Sequence, residues 1–184
     1  MYHVFQEAQV DWIVCCYTVP SDTSRHRVAV WRELRKIGAV SPQQAVWILP
    51  DRSQARRALD RVQQLVAKAD GEIVLLKGEA LDDATQKRLE GLYVDAREEE
   101  YGEFLVECER FVKEIAKEIS KGKLTTAELD EEEQSYERLA RWHRELQTRT
   151  LYPTPSAPNA ERRLKECEAA ISDYAERVMA EEER

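Results

Sequence analysis

Apolar residues in the first eighty positions form short runs that stop at proline or glycine; beyond them they form long stripes at helical spacing. The run W-I-V-C-C-Y-T-V-P (residues 12–20) is rich in β-formers on both faces. Trp12, Val14 and Cys16 alternate with Ile13, Cys15, Tyr17 and Val19, as in a strand covered on both sides, so a central strand is expected. Pro20 ends it, and Ser21 to Ser24 offers N-cap candidates. A helix follows, with Val28, Trp31, Leu34 and Ile37 as its expected core stripe and Gly38 as its C-terminal cap. Residues 39–43 and 45–49 read as paired strands, Pro42 pushing the first to an edge or a bulge.

The second helix opens at Asp51-x-x-Gln54, a capping-box-like signal. It carries the stripe Ala55, Ala58, Leu59, Val62 and Leu65. Asp70-Gly71 turns the chain into a last strand at Ile73 to Leu76. The order β-α-β-β-α-β is that of a ferredoxin-like sandwich, expected over residues 1–81. Residues 82–184 read as a helical domain of about three helices. The first is capped by Asp83-x-x-Gln86 and closed by Gly122, the second is opened by the capping box Thr125-x-x-Glu128, and the last is capped by Asn159. The proline-rich stretch 152–158 reads as a rigid loop between the last two. The fold class is therefore α+β.

Charge divides the chain at the same place. The first eighty residues carry 11 Lys and Arg against 9 Asp and Glu; the remainder carries 17 against 27, giving the net −8. So acidic a surface argues against non-specific nucleic-acid binding by the whole molecule, since phosphate neutralisation needs clustered cations. No apolar run approaches the roughly 18 residues of a membrane span. The N-terminus lacks the zones of a signal peptide, so a cytoplasmic location and no membrane partner are expected. Cys15, Cys16, Cys108 and Cys167 have no C-x-x-C spacing and read as reduced, mostly buried thiols.

Candidate chemistry is sparse. Arg25, Arg32 and Lys36 share one face of the first helix, flanked by Arg27 and Arg35; Arg57, Arg61 and Lys68 form a stripe on the second. Both helices cover the same face of the expected sheet, and arginine suits bidentate contact with oxyanions. These side chains either form an anion-binding patch or are a solvated surface paired with Glu33, Asp60 and the acidic helices. Glu100, Glu103 and Glu107 lie on one side of the third helix and read as a charged face, with no E-x-x-H partner near His143. His3 and His26 have no nucleophile beside them, there is no G-x-S-x-G, and Gly38 and Gly78 are isolated. A protein without catalytic residues, metal or cofactor is expected.

The residues W-I-V-C-C-Y-T-V-P, R-x-x-x-W-R-x-L-x-x-x-G-A and W-I-L-P resemble the N-terminal domain of ChrB-type chromate resistance proteins. The matching positions are Pro20, Arg27, Trp31, Arg32, Leu34, Gly38, Ala39, Leu49 and Pro50, with Arg97, Glu100 and Tyr101 further on. The resemblance implies a chromate-responsive regulator, with Arg25, Arg27, Trp31, Arg32, Lys36, Arg57 and Arg61 meeting chromate, another oxyanion or DNA phosphate. In longer family members a C-terminal resistance domain follows; here the expectation is a stand-alone version or a second polypeptide supplying it. The first eighty residues are also similar to the ferredoxin-like nuclease subunit of CRISPR adaptation and to a domain of the phenylacetate-pathway repressor. That implies a homodimer and, as alternatives, a metal-dependent nuclease or a protein-interaction module. In the nuclease an Asp follows the first strand's Tyr; here Tyr17 is followed by Thr18, with no carboxylate before Asp22.

Overall fold

A computed structural model of the chain describes residues 10–20 and 24–183. Ser21 to Thr23, with the Asp22 noted above, and His3 lie outside the described residues. The elements run β1 (Trp12–Thr18), α1 (Ser24–Lys36), β2 (Val40–Gln43), β3 (Val46–Pro50), α2 (Ser53–Ala67), β4 (Glu72–Gly78), α3 (Asp83–Ser120), α4 (Thr126–Arg149) and α5 (Ala157–Glu182). They form two compact units: one takes the chain up to Ala96 with Arg149–Tyr152, the other takes Arg97–Thr148 and the chain from Pro153 onward.

The first unit has the expected ferredoxin-like topology. Its sheet order is β2-β3-β1-β4, every neighbouring pair antiparallel, with β1 in the interior. Both faces of β1 are covered, which accounts for its unbroken apolar run. Ile13 and Cys15 pack with Trp47 and Leu49 against Val30 and Leu34 of α1 and Ala55, Leu59, Val62 and Val66 of α2. On the opposite face Trp12 packs with Val10, Val40, Ile48 and Tyr93, the last from α3. Trp12 meets Tyr93 edge-on at 6.3 Å and donates its indole N–H to Gln86 Oε1 at 3.1 Å. The Tyr93 hydroxyl donates to the Arg149 carbonyl at 2.7 Å and accepts the Leu151 N–H at 3.0 Å, which ties residues 149–152 to this unit. β2 is an edge strand with a register shift between Val40 and Gln43, so Pro42 removes no ladder bond from the interior.

The expected stripe of α1 is corrected. Val28 and Trp31 are exposed, and the buried row is Val30 and Leu34, with Ile37 half-buried. At about 100° per residue, four positions each three apart sweep about 180°, so Val28 and Ile37 stand on opposite sides of the helix. The row at i, i+4 and i+7 stays on one side. Gly38 does close the helix, with φ 85° and the Ala39 N–H reaching back to the Leu34 carbonyl at 2.9 Å.

Three helix starts also differ from expectation. At α2 the cap position falls to Arg52, without a side-chain bond, and the Asp51 carboxylate takes a two-pronged contact from Arg56, both bonds at 2.6 Å. That guanidinium holds the Asp51 carboxyl below its ordinary range. α3 is capped by Asp82, one residue early, through the Thr85 N–H at 2.7 Å. At α5 the cap position is Ser156, whose N–H and hydroxyl both go to Glu98, while Asn159 lies inside the helix and accepts from Arg162. Thr125 caps α4 as expected, accepting the Glu128 N–H at 3.3 Å.

The second unit is a bundle. Tyr101, Phe104, Cys108, Phe111 and Ile115 of α3 recur at alternating three- and four-residue steps. Leu139, His143 and Leu146 of α4 and Cys167, Ile171, Tyr174 and Val178 of α5 do the same. This is the narrow apolar seam by which bundled helices interlock. Gly122, with φ 67°, ends α3 by returning the Lys123 N–H to the Glu118 carbonyl at 3.1 Å. Among the described residues no helix is long and apolar enough to cross a membrane.

Candidate functional site

Three segments of the first unit meet at one end of its sheet. β1 delivers Tyr17 and Thr18, with Val19 beyond them; β2 delivers Ser41 and the turn after it Gln44 and Ala45; β3 adds Trp47, which lies across from Cys15. The first turns of α1 supply Arg27 and Trp31. Together these nine residues enclose an open hollow of about 400 Å³. Its floor is fixed by the sheet, and two backbone features shape its rim. Ala45 adopts φ 64°, so the hairpin closes within two residues between Gln43 and Val46. Gly71 lies so close to β1 that a Cβ there would sit 2.3 Å from the Thr18 carbonyl oxygen.

Arg27 is the single formal charge among the described residues lining the hollow, and no carboxylate faces it there. Trp47 is buried, whereas Trp31 stays 46% exposed with the Arg35 guanidinium over its ring at 5.5 Å. The Ser41 hydroxyl donates to the Gln43 carbonyl at 2.7 Å across the strand irregularity. Burial raises the Tyr17 phenol, Cys15 adds to the rise, and Arg27 draws it back, so Tyr17 is a neutral hydroxyl donor. Burial, with Cys16 adding, pushes the Cys15 thiol up to about 12 and keeps it protonated. The hollow thus combines one cation, neutral hydroxyl and amide groups, and two indole rings. It can attract an anion and offer it a flat apolar wall.

Of the residues singled out in the sequence, Arg27 and Trp31 come together here. Arg25, Arg32, Lys36, Arg57 and Arg61 are exposed on α1 and α2 and do not line the hollow. Arg61 hydrogen-bonds Gln64 at 3.4 Å. Among the described residues none of these arginines, nor Lys36, makes an ion pair, and Glu33 and Asp60 do not neutralise them. Tyr17, Ser41, Gln44, Ala45 and Trp47 carried no signal in the sequence beyond their places at strand ends and in a turn. Their role comes from the antiparallel register.

The second unit has a larger groove of about 750 Å³ between α3 and α4. Its charges are mixed: Arg110 pairs with Glu107 at 2.6 Å, and Glu114, Glu132 and Arg138 also line it. Burial and then the neighbouring carboxylates, Glu114 first, raise the Glu132 carboxyl. Glu100 pairs with Arg97 at 3.2 Å and Glu107 with Arg110, so two members of the glutamate cluster serve in ion pairs along α3. Among the described residues no three His, Cys, Asp or Glu side chains gather as metal ligands. His143 is buried against Phe104, ring centres 5.4 Å apart. The four cysteines are free thiols, Cys16 half-buried and the other three buried.

A family profile described as "Protein ChrB, N-terminal" matches residues 27–184. Protein ChrB of Cupriavidus metallidurans is 25% identical over 164 residues, a match covering 87% of this chain and 46% of that protein. The chain spans about half the length of that curated relative. No solved structure matches it.

Proposed function

The chain belongs to the family of ChrB N-terminal domains, and from that membership we propose a non-enzymatic, cytoplasmic accessory or regulatory protein of chromate resistance that binds an oxyanion around Arg27. One observation carries the reading: the hollow at the end of β1 holds an arginine without a facing carboxylate, among neutral hydroxyl and amide groups. Arg27 is itself exposed, so its guanidinium is open to a tetrahedral dianion, and the neutral hydroxyl groups beside it add further donors. Where the similar nuclease has an Asp, this chain has Thr18, which brings no negative charge to the hollow and a hydroxyl able to donate to an anion.

The exposed Arg25, Arg32, Lys36, Arg57 and Arg61 fit a second, looser role in the same reading, contact with DNA phosphates from the α1 and α2 layer. Binding of that kind weakens steeply with salt. Homodimerisation goes with the reading as well. Exposed Val74 and Leu76 on β4, an edge strand, are the apolar surface it would use.

Calorimetric titration of the full chain with chromate and with sulfate tests the proposal. Saturable binding is expected, weakened at least tenfold in Arg27→Ala and unchanged within twofold in Arg57→Ala. Equal affinity in Arg27→Ala and wild type would remove the hollow as the oxyanion site.

A further inference from the structure

We propose that the anion the hollow is built for carries a planar aromatic ring, as a nucleoside monophosphate or the phosphorylated end of a nucleic acid strand does. The inference rests on the oxyanion reading and narrows its ligand. Size is the first reason. The hollow, about 400 Å³ and open to solvent, is lined by nine residues, a wider surface than a single tetrahedral anion at Arg27 covers. A bare anion would meet Arg27 and the hydroxyls near it, leaving the aromatic lining and Gln44 unused.

The unused lining is aromatic and amide. Trp31 is not held by the core of α1, whose buried row is Val30 and Leu34, and yet a large indole stays 46% exposed at the hollow. Arg35 lies over its ring at 5.5 Å in a cation–π contact. Tyr17, half-buried, adds further π surface, and buried Trp47 backs it. Aromatic side chains beside a cation are the pair that holds a base and its phosphate together, because every base has a π face whatever its sequence. Gln44 offers both an amide donor and an acceptor, which a base edge needs and an inorganic anion does not. An acidic lining residue would repel the phosphate, and none is present among the described residues.

Calorimetry on the full chain separates the ligands. AMP is expected to bind at least tenfold more tightly than inorganic phosphate and than adenosine. Trp31→Ala is expected to abolish that preference, and Arg27→Ala to weaken the binding of AMP and of phosphate alike. Circular dichroism verifies the fold of each variant. A 5′-phosphorylated trinucleotide distinguishes the sources: tighter binding than AMP assigns the site to strand ends, weaker binding to free nucleotides, and either supports the proposal. Equal affinity for AMP and phosphate, or a preference that survives Trp31→Ala, overturns it while the oxyanion reading stands. Failure of AMP, phosphate and chromate alike overturns both.

Discussion

Ala45 sits at φ 64° in the two-residue turn between β2 and β3, a conformation that an L-residue enters at a penalty of roughly 1–2 kcal/mol. Glycine there would relieve the strain but add freedom to the unfolded chain worth about 0.5–1 kcal/mol. Ala45→Gly is therefore expected to stabilise the protein by about 0.5–1 kcal/mol, read as a higher urea midpoint; a lower midpoint would show that the alanine methyl packs favourably. His143 offers a test of opposite character. Burial lowers its pKa below the ordinary value near 6.5, Glu161 opposing. Between the folded and unfolded values the unfolded chain binds more protons, so this contribution is complete above pH 6.5 and falls as pH drops below it. Glu132, raised by burial, acts in the opposite sense over a window beginning near pH 4.5. Comparing variants cancels that term. The loss of melting temperature between pH 7.5 and pH 5.5 is expected to be smaller in His143→Phe than in wild type, and an unchanged loss would show that His143 titrates freely in the fold.

At the scale of elements, termination was legible, and initiation only at the capping box of α4. Gly38 and Gly122 stand where a left-handed residue must end a helix, and a glycine after a periodic stripe announces this. Caps depend instead on which donor wins a carboxylate: Arg56 takes Asp51, and Glu98 reaches Ser156 from a distant stretch of chain. The α1 stripe misled because Trp31 looked like core, whereas only an i, i+4, i+7 row stays on one side of a helix. The glycines of α3 give a paired expectation. Gly102, helical and with open space around its α-carbon, gains about 0.5–1 kcal/mol on change to Ala. Gly122, at φ 67°, loses about 1 kcal/mol on the same change. Urea denaturation of the two variants should move in opposite directions; movement in the same direction would contradict the assigned helix end.

For the whole molecule, the strand–helix order and the two-sided burial of β1 could be read directly, because proline stops and apolar runs report topology. The site could be read only through Arg27 and Trp31. Residues 17–19, 27–31 and 41–47 share no motif; sheet register and one left-handed alanine bring them together. Charge, too, is resolved only at this scale. A chain of net −8 keeps one arginine of its first unit in a hollow lined by no described carboxylate. The four tryptophans make this directly testable, since Trp31 and Trp47 line the hollow, Trp12 is buried on the other face of the sheet, and Trp142 belongs to the helical bundle. Nitrogen-15 NMR of the indole N–H groups during titration with chromate is the decisive measurement. The Trp31 and Trp47 signals should shift saturably while those of Trp12 and Trp142 stay in place. Shifts confined to Trp142, or no shift at any of the four, would contradict an oxyanion site at the end of β1.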